Sequence, residues 1–561
     1  MNLFDEILKA RGLTGKTREA FLNPDYEQKH DPFLLPDMQQ AVDRLVEAHK
    51  KQQNITIYGD YDIDGLTATT VLLDAFEQFG FEHVDAFIPN RFVEGYGLTV
   101  EAVEKIAAAG AQLIITVDCG SLSEKEIVRA NELGVDVIVT DHHNVATVQP
   151  PAVAVINPKR LLADYPDEYE NFIFKKGSKM QGKIYPFLDL PGVGVAFKLV
   201  QALQTKLPGL PVGQEKWLLD LVALGTVCDV VNLTDENRAH VYWGLKVLAK
   251  TRRPGLKALT TVAKITPDKI VARSLGFGLG PRMNAAGRLE TAQHSLDLLR
   301  AQDSLVALEI AEKLDVMNTT RRSEQDKIFA AAKLQAEHYA ADNVLVLSGE
   351  NWSHGIIGIV AAKILETYKK PTYVLEELGE ESKGSARSFG DFSVADAIRA
   401  ADDIITKGGG HKFAAGVTLP TANIAAFRKR VNEYYRAQKL SNQQALLLPH
   451  EDVVAAFDAI TDELIANIAT LEPFGNANPE PVLKTEGVVV LKQRRMGNAG
   501  QHVRLDLQDQ TGRILQMVAF NAPEHFFVEP GEIVTIWYQP TINEWNGRRA
   551  VEGRLLHLET V

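Results

Sequence analysis

Five short apolar runs in residues 54–160 alternate with segments of helical spacing. The runs are rich in β-branched residues and read NITIY, VDAFIP, LIITVD, VDVIVTDHH and AVAVINP. The segments between them, such as LTATTVLLDAFEQFG and EKEIVRANELG, are amphipathic and end at glycine. Strands that alternate with helices in this way form a parallel sheet with crossover connections. This pattern therefore predicts an α/β domain in the first third of the chain.

Acidic residues and histidines follow these runs at the point where each predicted strand ends. A further aspartate follows the apolar run in VALGTVCDVVNL, in a region of mainly helical pattern. Ligands of parallel sheets bind at the carboxyl ends of the strands, so we expect the side chains of the sheet to meet at one edge. The residues concerned are Asp60, Asp62, Asp64, Asp118, Asp141, His142, His143 and Asp229.

The stretch GDYDIDG places three aspartates at alternate positions. If the strand continued through them, all three carboxylates would lie on one face and would repel one another unless a cation neutralised them. An exposed acidic turn is the alternative for this stretch alone. Carboxylates with one imidazole suit Mn²⁺ or Mg²⁺ better than zinc. A shared aspartate could bridge two such ions, about 3.5–4 Å apart, in a site that activates water and holds a phosphate.

The remainder of the chain shows three further patterns. Residues 304–341 have apolar groups at helical spacing around a polar centre, which predicts one helix over about 50 Å long that connects two lobes. A second αβ unit runs from NVLVLSG to about residue 445. The last ~100 residues alternate apolar and polar positions between Gly or Asn turns, which is typical of a small antiparallel barrel.

Composition limits the protein class. The 561 residues are 45% hydrophobic and 24% charged, and a chain of this length predicts three or four domains. The net charge of −13 disfavours binding of nucleic acid over the whole surface but permits a local basic groove. We expect a cytoplasmic protein, because the sequence has neither a signal peptide nor an apolar run of membrane-spanning length. Two cysteines, Cys119 and Cys228, are too few for a disulfide framework and are interpreted as small buried residues.

Four motifs in this order, DYDID, VDCG, DHH and TVCDVV, resemble those of the DHH phosphoesterase superfamily. The stretches SHGIIGIVA, GSARS and GGGHKFAAG resemble its companion DHHA1 domain. PNRFVEGYGL and GPRMNAAGRL are similar to segments of the RecJ family, which are single-strand-specific 5′→3′ exonucleases. With the terminal barrel, the resemblance covers nearly the whole chain.

The resemblance implies a metal-dependent exonuclease that hydrolyses single-stranded DNA in DNA repair and recombination. Its expected fold is α/β: a DHH parallel-sheet domain, joined by a long helix to a smaller αβ DHHA1 domain, followed by an all-β OB-fold barrel. We expect a helical segment at residues 1–50, the DHH domain at 51–300, the connecting helix at 301–341, the DHHA1 domain at 342–450 and the OB-fold at 451–561.

The resemblance also implies roles for individual residues. Asp62 and Asp118 would bind one ion, and the second ion would be bound by Asp64, Asp118, His142 and Asp229. Asp118, His143 and Asp141 would be the catalytic group, with His143 facing the scissile phosphate and Asp141 orienting the two histidines. The cofactor would be a pair of divalent cations, Mn²⁺ first and Mg²⁺ second.

Position 58 departs from the pattern of the superfamily. Many members have a metal-binding histidine four residues before the first aspartate of the DxD pair, where this chain has Tyr58. A phenol is a poor substitute, so the first ion would bind more weakly. Asp60 is either a compensating ligand or a structural residue.

Substrate-binding residues are expected in four stretches. In KGSARS we expect a turn that starts at glycine and presents hydroxyl groups and a guanidinium to a phosphate. Aromatic residues in PNRFVEGYGL could stack on bases, with a core position as the alternative for Phe92. Ordinary surface loops and arginines are the alternative for each stretch taken alone. The candidates are Arg91, Tyr96, Arg282, Asn284, Arg288, Ser385, Arg387, Ser388, Gly409, Gly410 and His411.

Two other readings remain open. A DHH phosphodiesterase of short oligonucleotides or cyclic dinucleotides, or a pyrophosphatase, would need neither the barrel nor the long helix. A DNA-binding scaffold without catalysis is the other alternative. Retention of a cluster of mutually repelling aspartates argues against it, because such a cluster needs a metal ion to neutralise it. The family resemblance further implies single-stranded DNA as the partner, a helicase and a single-strand-binding protein as additional partners, no membrane and a monomeric state.

Overall fold

The computed structural model describes residues 2–95, 97–165, 182–440, 443–545 and 547–561. The chain forms two compact units, one of residues 1–315 together with 449–561 and one of residues 316–448. The division falls within a single helix, α15 (Ser304–His338), of 35 residues. The predicted long helix that connects two lobes is therefore present.

The first unit contains a five-stranded parallel sheet in the order β2-β1-β3-β4-β5. Ile57 of β1 lies between Ala86 and Ile115 of the neighbouring strands, so the carboxyl ends of the strands meet at one edge. Helices cover both faces, which explains why the central strands are almost continuously apolar. The strands are β1 Ile55–Gly59, β2 Val84–Phe87, β3 Leu113–Val117, β4 Asp136–Thr140 and β5 Ala154–Ile156.

The helices before and between these strands follow the predicted pattern. On one face, apolar residues of α5 and α6 pack on the sheet with Tyr58 and Val139. On the other face, α4 packs against two helices from the region after residue 190. The helices up to residue 165 are α1 Leu3–Ala10, α2 Gly15–Leu22, α3 Met38–Lys51, α4 Ile63–Phe79, α5 Val100–Ala108, α6 Glu124–Glu132 and α7 Arg160–Asp164.

Residues 192–300 are helical, as the sequence predicts. A π-helical turn, Leu275–Leu279, joins two of these helices directly. The helices are α8 Gly192–Leu203, α9 Leu219–Cys228, α10 Asp235–Leu248, α11 Pro254–Val262, α12 Ala272–Ser274, α13 Gly280–Leu289 and α14 Gln293–Arg300.

The second unit contains a five-stranded mixed sheet in the order β6-β7-β8-β10-β9. Tyr373, Phe392 and Phe427 belong to its apolar core. The strands are β6 Leu345–Glu350, β7 Thr372–Leu378, β8 Glu381–Arg387, β9 Lys407–Gly410 and β10 Ala414–Pro420. The helices are α16 Ile357–Tyr368, α17 Val394–Arg399 and α18 Ile424–Ala437.

One prediction for this unit is wrong. The stretch KGSARS is not a turn, because residues up to Arg387 lie in β8, paired on both sides with β7 and β10. Gly384 is needed for packing, since a Cβ there would lie 3.0 Å from both Leu375 and Val417 of the neighbouring strands. The glycine of this stretch therefore marks close packing between paired strands rather than a turn.

The last part of the first unit is a six-stranded sheet, which pairing of β12 with β15 closes into a barrel. Helix α1 contributes Phe4, Ile7 and Leu8 to the barrel core, so the N-terminal helix packs against the C-terminal strands. The predicted fold class is confirmed. The strands are β11 Val453–Val454, β12 Leu483–Met496, β13 His502–Gln508, β14 Ile514–Ala519, β15 Ile533–Trp545 and β16 Arg548–Thr560, and helix α19 is Asp462–Ala469. Within the described ranges, no helix is long and apolar enough to cross a membrane.

Candidate metal centre

The strand β1 ends at Gly59, so the aspartates of GDYDIDG do not alternate along a strand, as the sequence had suggested. Asp62 is the N-cap of α4, where its Oδ1 accepts hydrogen bonds from the amides of Asp64 (2.9 Å) and Gly65 (3.2 Å). A turn and the first residues of a helix therefore bring the three carboxylates together.

Asp64 is fully buried and is held by a second helix N-terminus. Its two carboxylate oxygens accept hydrogen bonds from the first amides of α8, from Gly192 (2.6 Å) and Val193 (2.8 Å). Backbone amides at a helix N-terminus stabilise an anion. The position of this carboxylate therefore depends on residues about 130 positions further along the chain.

Asp118 follows β3 and has a left-handed backbone with φ 62°. Its amide donates to the carbonyl of Thr140 (3.0 Å), which continues the pairing of β3 with β4. Gly192 lies against it, and a Cβ at that glycine would be 2.7 Å from the Asp118 Cβ. An unfavourable backbone conformation held in place by its surroundings is typical of functional sites.

Asp141 fixes the two histidines that follow β4. Its Oδ1 accepts hydrogen bonds from the amides of His142 (2.7 Å) and His143 (3.0 Å), and lies 2.9 Å from His143 Nδ1. The amide of Ser121 donates to its Oδ2 (3.0 Å). The carbonyl of Leu190 accepts a hydrogen bond from the His142 ring.

Asp229 follows the last residue of α9, at the C-terminal end of that helix. The helix dipole disfavours a carboxylate there. A cation next to this carboxylate would remove that penalty.

The side chains form three overlapping groups of the kind that binds metal ions, one of which is Asp118, His142 and His143. The other two are called here the first and second acidic groups. The first acidic group is Asp60, Asp62 and Asp118, and the second acidic group is Asp64, His142 and Asp229; in each group the ligand atoms lie within 4.8 Å of one another. Asp118, a member of the first acidic group, also adjoins the second, because its Oδ1 is 3.1 Å from His142 Nε2.

Buried atoms without partners show that these groups fit divalent cations. Four of the ligand atoms are buried and find no hydrogen-bond partner in the described part of the chain: Asp60 Oδ1, Asp118 Oδ1, His142 Nε2 and Asp229 Oδ2. His142 Nε2 faces carboxylate oxygens of Asp118, Asp229 (3.6 Å) and Asp64 (3.8 Å). Burial, and then the charge of His143, lowers the pKa of His142 to about 3, so this ring is neutral and cannot neutralise them.

Burial and like charges also raise the pKa values of the carboxylates. Burial, and then repulsion from Asp62, raises the pKa of Asp60 to about 8 and that of Asp64 to about 7. Burial and the charge of Asp64 raise the pKa of Asp229 to about 9 and hold the pKa of Asp118 well above its usual range. Oxygen and imidazole donors of this kind suit Mn²⁺ or Mg²⁺.

Asp141 and His143 show the opposite behaviour. Burial disfavours both charges, but the hydrogen bond between them lowers the pKa of Asp141 and raises the pKa of His143. The contact therefore favours the ionised form of both groups, a buried carboxylate and a partly exposed imidazole ring.

Tyr58 is fully buried and donates its hydroxyl hydrogen to the carbonyl of Gly97 (2.8 Å), with its ring stacked on Phe87. Its hydroxyl therefore supports the loop that follows β2. Asp60 lies in the first acidic group, 3% exposed.

Sequence reasoning missed residues at this edge of the sheet. The charge of Lys159 acts on Asp229 and on both histidines. Asn157 donates to the carbonyl of His143 (2.9 Å) and to Ser121 Oγ (2.8 Å). Their position directly after β5, at the same carboxyl edge, was the available signal. Residues 190–193 gave no such signal, because they follow no strand of this sheet directly and reach the site only by the packing of α8 against it.

The candidate substrate residues of the first unit lie on two segments. Arg91 stacks on the Tyr61 ring (4.3 Å), and its charge partly opposes the rise in the pKa of Asp60 that burial and Asp62 cause. Phe92 is 40% exposed, which excludes the core position. Tyr96 lies outside the described residues. The others are on α13, where Arg282 pairs with Asp315 (2.8 Å) and Asn284 and Arg288 are half-buried.

In the second unit, Ser385 and Gly409 line a cavity of about 510 Å³ together with His354, Lys383 and Lys407, which sequence reasoning did not single out. The guanidinium of Arg387 donates to Ser385 Oγ (3.1 Å), and burial lowers its pKa.

Arg387 and the other three candidates of this unit are not among the residues that line that cavity. Ser388 donates to the Phe392 carbonyl (2.7 Å) and so closes its own loop. Gly410 has φ 141° and no room for a side chain, and the exposed His411 exchanges backbone hydrogen bonds with Ala414.

Three protein families match successive parts of the chain: the DHH family, N-terminal domain, at residues 54–226, the DHHA1 domain at 341–437 and the RecJ OB domain at 451–557. Single-stranded-DNA-specific exonuclease RecJ of Haemophilus influenzae is 32% identical, and the match covers 100% of this chain and 96% of that relative. The protein of the same name from Bacillus subtilis is 36% identical over 98% of this chain, which spans 66% of that longer relative.

The crystal structure of RecJ in complex with Mn²⁺ from Thermus thermophilus superimposes with a TM-score of 0.80 at 29% identity, over 99% of this chain and 75% of that chain. A second structure, of exonuclease RecJ bound to manganese, has a TM-score of 0.61 at 33% identity and covers 73% of this chain and 97% of its own. From end-to-end similarity in both sequence and fold, the chain belongs to the RecJ family of DHH phosphoesterases.

Proposed function

We propose that the protein is a metal-dependent exonuclease that hydrolyses single-stranded DNA from the 5′ end. The observation that carries the proposal is the pair of acidic groups that meet at Asp118, with buried ligand atoms that find no hydrogen-bond partner in the described part of the chain. Two relatives of the chain are named as exonucleases specific for single-stranded DNA.

In this proposal the first acidic group binds one divalent cation and the second acidic group binds another, with Asp118 shared. Mn²⁺ is the first candidate and Mg²⁺ the second, because related structures were solved with each of them. When bound, two such cations supply the positive charge that activates water and stabilises a phosphate under attack.

The protein residues around the cations position the substrate and its charge. Asp141 accepts the hydrogen on His143 Nδ1 and so holds that ring in one orientation. This contact favours the protonated form of His143, which can donate to a phosphate oxygen as negative charge develops. Lys159 adds a further positive charge beside Asp229.

The second unit supplies a site for the DNA backbone. The cavity lined by Lys383, Lys407, Ser385 and Gly409 combines two cations, a hydroxyl and close access to the main chain, all suited to phosphate. We assign the domains as predicted: catalytic at 51–300, connecting helix at 301–341, substrate-binding at 342–450 and OB-fold at 451–561, after a helical segment at 1–50.

The biological setting is part of the same proposal. The protein would act in DNA repair and recombination, in the cytoplasm and as a monomer, on strands opened by a helicase and covered by a single-strand-binding protein. Family membership supports this setting.

A single assay tests the activity. A single strand labelled at the 5′ end and another labelled at the 3′ end are incubated with the protein and Mn²⁺, beside a duplex and a dinucleotide. We expect the 5′ label to be released at once as mononucleotide and the 3′ label to remain on shortening strands. Faster cleavage of the dinucleotide would favour the small-substrate phosphodiesterase, and DNA binding without cleavage would favour the scaffold.

A further inference from the structure

A loop of the C-terminal barrel reaches the metal centre through a short chain of hydrogen bonds. We propose that this barrel loop, residues 474–478 (FGNAN), positions the ligands of the second acidic group, with Asn476 as the positioning residue. The inference rests on the proposed function only in assuming that the acidic groups bind divalent cations.

The first branch runs to Asp229. Asn476 Nδ2 donates to the carbonyl of Val230 (3.1 Å), the residue that follows Asp229, and to Asn232 Oδ1 (2.9 Å). The amide of Leu233 donates in return to the carbonyl of Asn476 (2.9 Å). The segment after this ligand is therefore bound to the barrel loop from both directions.

The backbone of this segment needs such support. Val230 is β-branched, yet it has φ 61° and is 66% exposed, so its own side-chain packing does not hold that conformation. Gly475 fits closely against the buried Leu233, where a Cβ would lie 2.6 Å from the leucine Cδ1. Contacts with the barrel loop thus stabilise the turn that aims Asp229.

The second branch runs to the other two ligands. Asn232 Nδ2 donates to Asp189 Oδ2 (2.8 Å), and Asn237 Nδ2 donates to the carbonyls of Asp189 (2.6 Å) and Asn232 (3.0 Å). Asp189 begins a segment, residues 189–193, whose carbonyl at 190 binds the His142 ring and whose amides at 192 and 193 bind Asp64. All three members of the second acidic group are therefore supported through Asn232 or its neighbours.

The first acidic group is supported differently. Asp62 caps its own helix, and the backbone of Asp118 continues the pairing of β3 with β4, although Gly192 of segment 189–193 also packs against its side chain. Loss of the Asn476 contacts should therefore affect one cation more than the other.

The barrel has a separate anchor on the catalytic domain. The buried guanidinium of Arg238 donates to the carbonyls of Phe21 (3.1 Å), Leu471 (3.0 Å) and Glu472 (2.9 Å). Because Arg238 is independent of Asn476, a variant at Asn476 should keep the barrel in place.

The test compares Mn²⁺ binding by full-length variants in a calorimetric titration. Asn476→Ala removes the amide, and Asn476→Asp keeps its size but cannot donate. Gln508→Ala is the matched control, because Gln508 is a barrel amide that donates to a backbone carbonyl, that of Gly512 (3.0 Å), away from the metal centre. Mutation of a residue that hydrogen-bonds to a metal ligand typically lowers metal affinity roughly 10–100-fold.

We expect both Asn476 variants to bind one of two Mn²⁺ ions about tenfold more weakly and the other within about twofold of wild type. The Mn²⁺ concentration for half-maximal cleavage should rise while the rate at saturating Mn²⁺ is restored. Unchanged Mn²⁺ affinities, equal weakening of both ions, or the same loss in Gln508→Ala would overturn the inference. A wild-type protein that binds Mn²⁺ but cleaves no DNA would instead contradict the proposed function.

Discussion

The two acidic groups lie side by side but are built in different ways. The first acidic group takes two of its three carboxylates from one turn after β1, where Asp62 caps the helix that follows. The second acidic group takes each ligand from a different element: the first turn of α4, the end of β4 and the end of α9. A local turn sets the geometry of one cation site, whereas tertiary contacts set that of the other.

The contacts that hold the ligands differ accordingly. Asp64 and His142 are each held by the segment 189–193, and Asp229 by contacts of the residues that follow it. We therefore expect the second site to be sensitive to remote changes and the first site to depend on its own ligands.

The largest effect is expected from loss of Asp118, the carboxylate that the two acidic groups share. Asp118→Ala should lower the rate of DNA hydrolysis more than ~10³-fold at saturating Mn²⁺, since losing one stabilising group alone costs roughly 10²–10³-fold. Oligonucleotide binding should remain, because the Asp118 carboxylate is an anion and does not itself attract DNA phosphate. Single-turnover rates and fluorescence anisotropy measure the two properties, and near-normal cleavage would refute a shared ligand.

A smaller loss is expected from a residue outside both acidic groups. His143→Ala should reduce kcat roughly 10²–10³-fold while Mn²⁺ affinity stays near that of wild type, because in this proposal the His143 ring donates to the phosphate rather than to a cation. His143→Gln, which can still donate a hydrogen bond, should recover part of the rate. If His143→Ala loses a cation instead, His143 is a ligand rather than a donor to phosphate.

The comparison itself is tested by matched substitutions in the two groups. Asp60→Asn and Asp229→Asn each remove one charge, and each should weaken Mn²⁺ binding at its own site by about 10–100-fold. Calorimetry should then show a different ion affected in each variant. Asp60→Asn without effect on either ion would make Asp60 a structural residue and leave the first ion with fewer ligands.

The smallest expected effect is on stability as a function of pH. The folded, metal-free protein holds protons on Asp60, Asp64 and Asp229 with pKa values of about 8, 7 and 9, whereas the unfolded chain releases them near pH 4. Because folded pKa values are raised, stability from these groups is lost as pH rises from about 4 to 9. Mn²⁺ binds the ionised form, so its increase of Tm should be larger at pH 8.5 than at pH 6.

Thermal melts with and without Mn²⁺ at the two pH values measure this difference. A double variant, Asp64→Asn with Asp229→Asn, is the control and should lose most of the pH dependence of the Mn²⁺ effect. A Tm increase that is independent of pH in wild type would show that these carboxylates are already ionised without metal.

Much of this architecture could be predicted from the sequence because its signals are local. Alternating strands and helices indicated the parallel sheet, and the position of Asp118 after β3 placed it at the correct edge. Local sequence patterns failed where the conformation depends on contacts with segments far away in the sequence. The strand character of KGSARS depends on β7 and β10, and the roles of Leu190, Gly192 and Asn476 depend on contacts between distant segments.

The number of Mn²⁺ ions bound per chain shows whether the two acidic groups form one centre. We expect about two ions in calorimetry of the wild-type protein, with magnetic coupling between them in electron paramagnetic resonance, because Asp118 is shared. A single ion per chain, or two ions without coupling, would contradict a centre in which both acidic groups meet at one carboxylate.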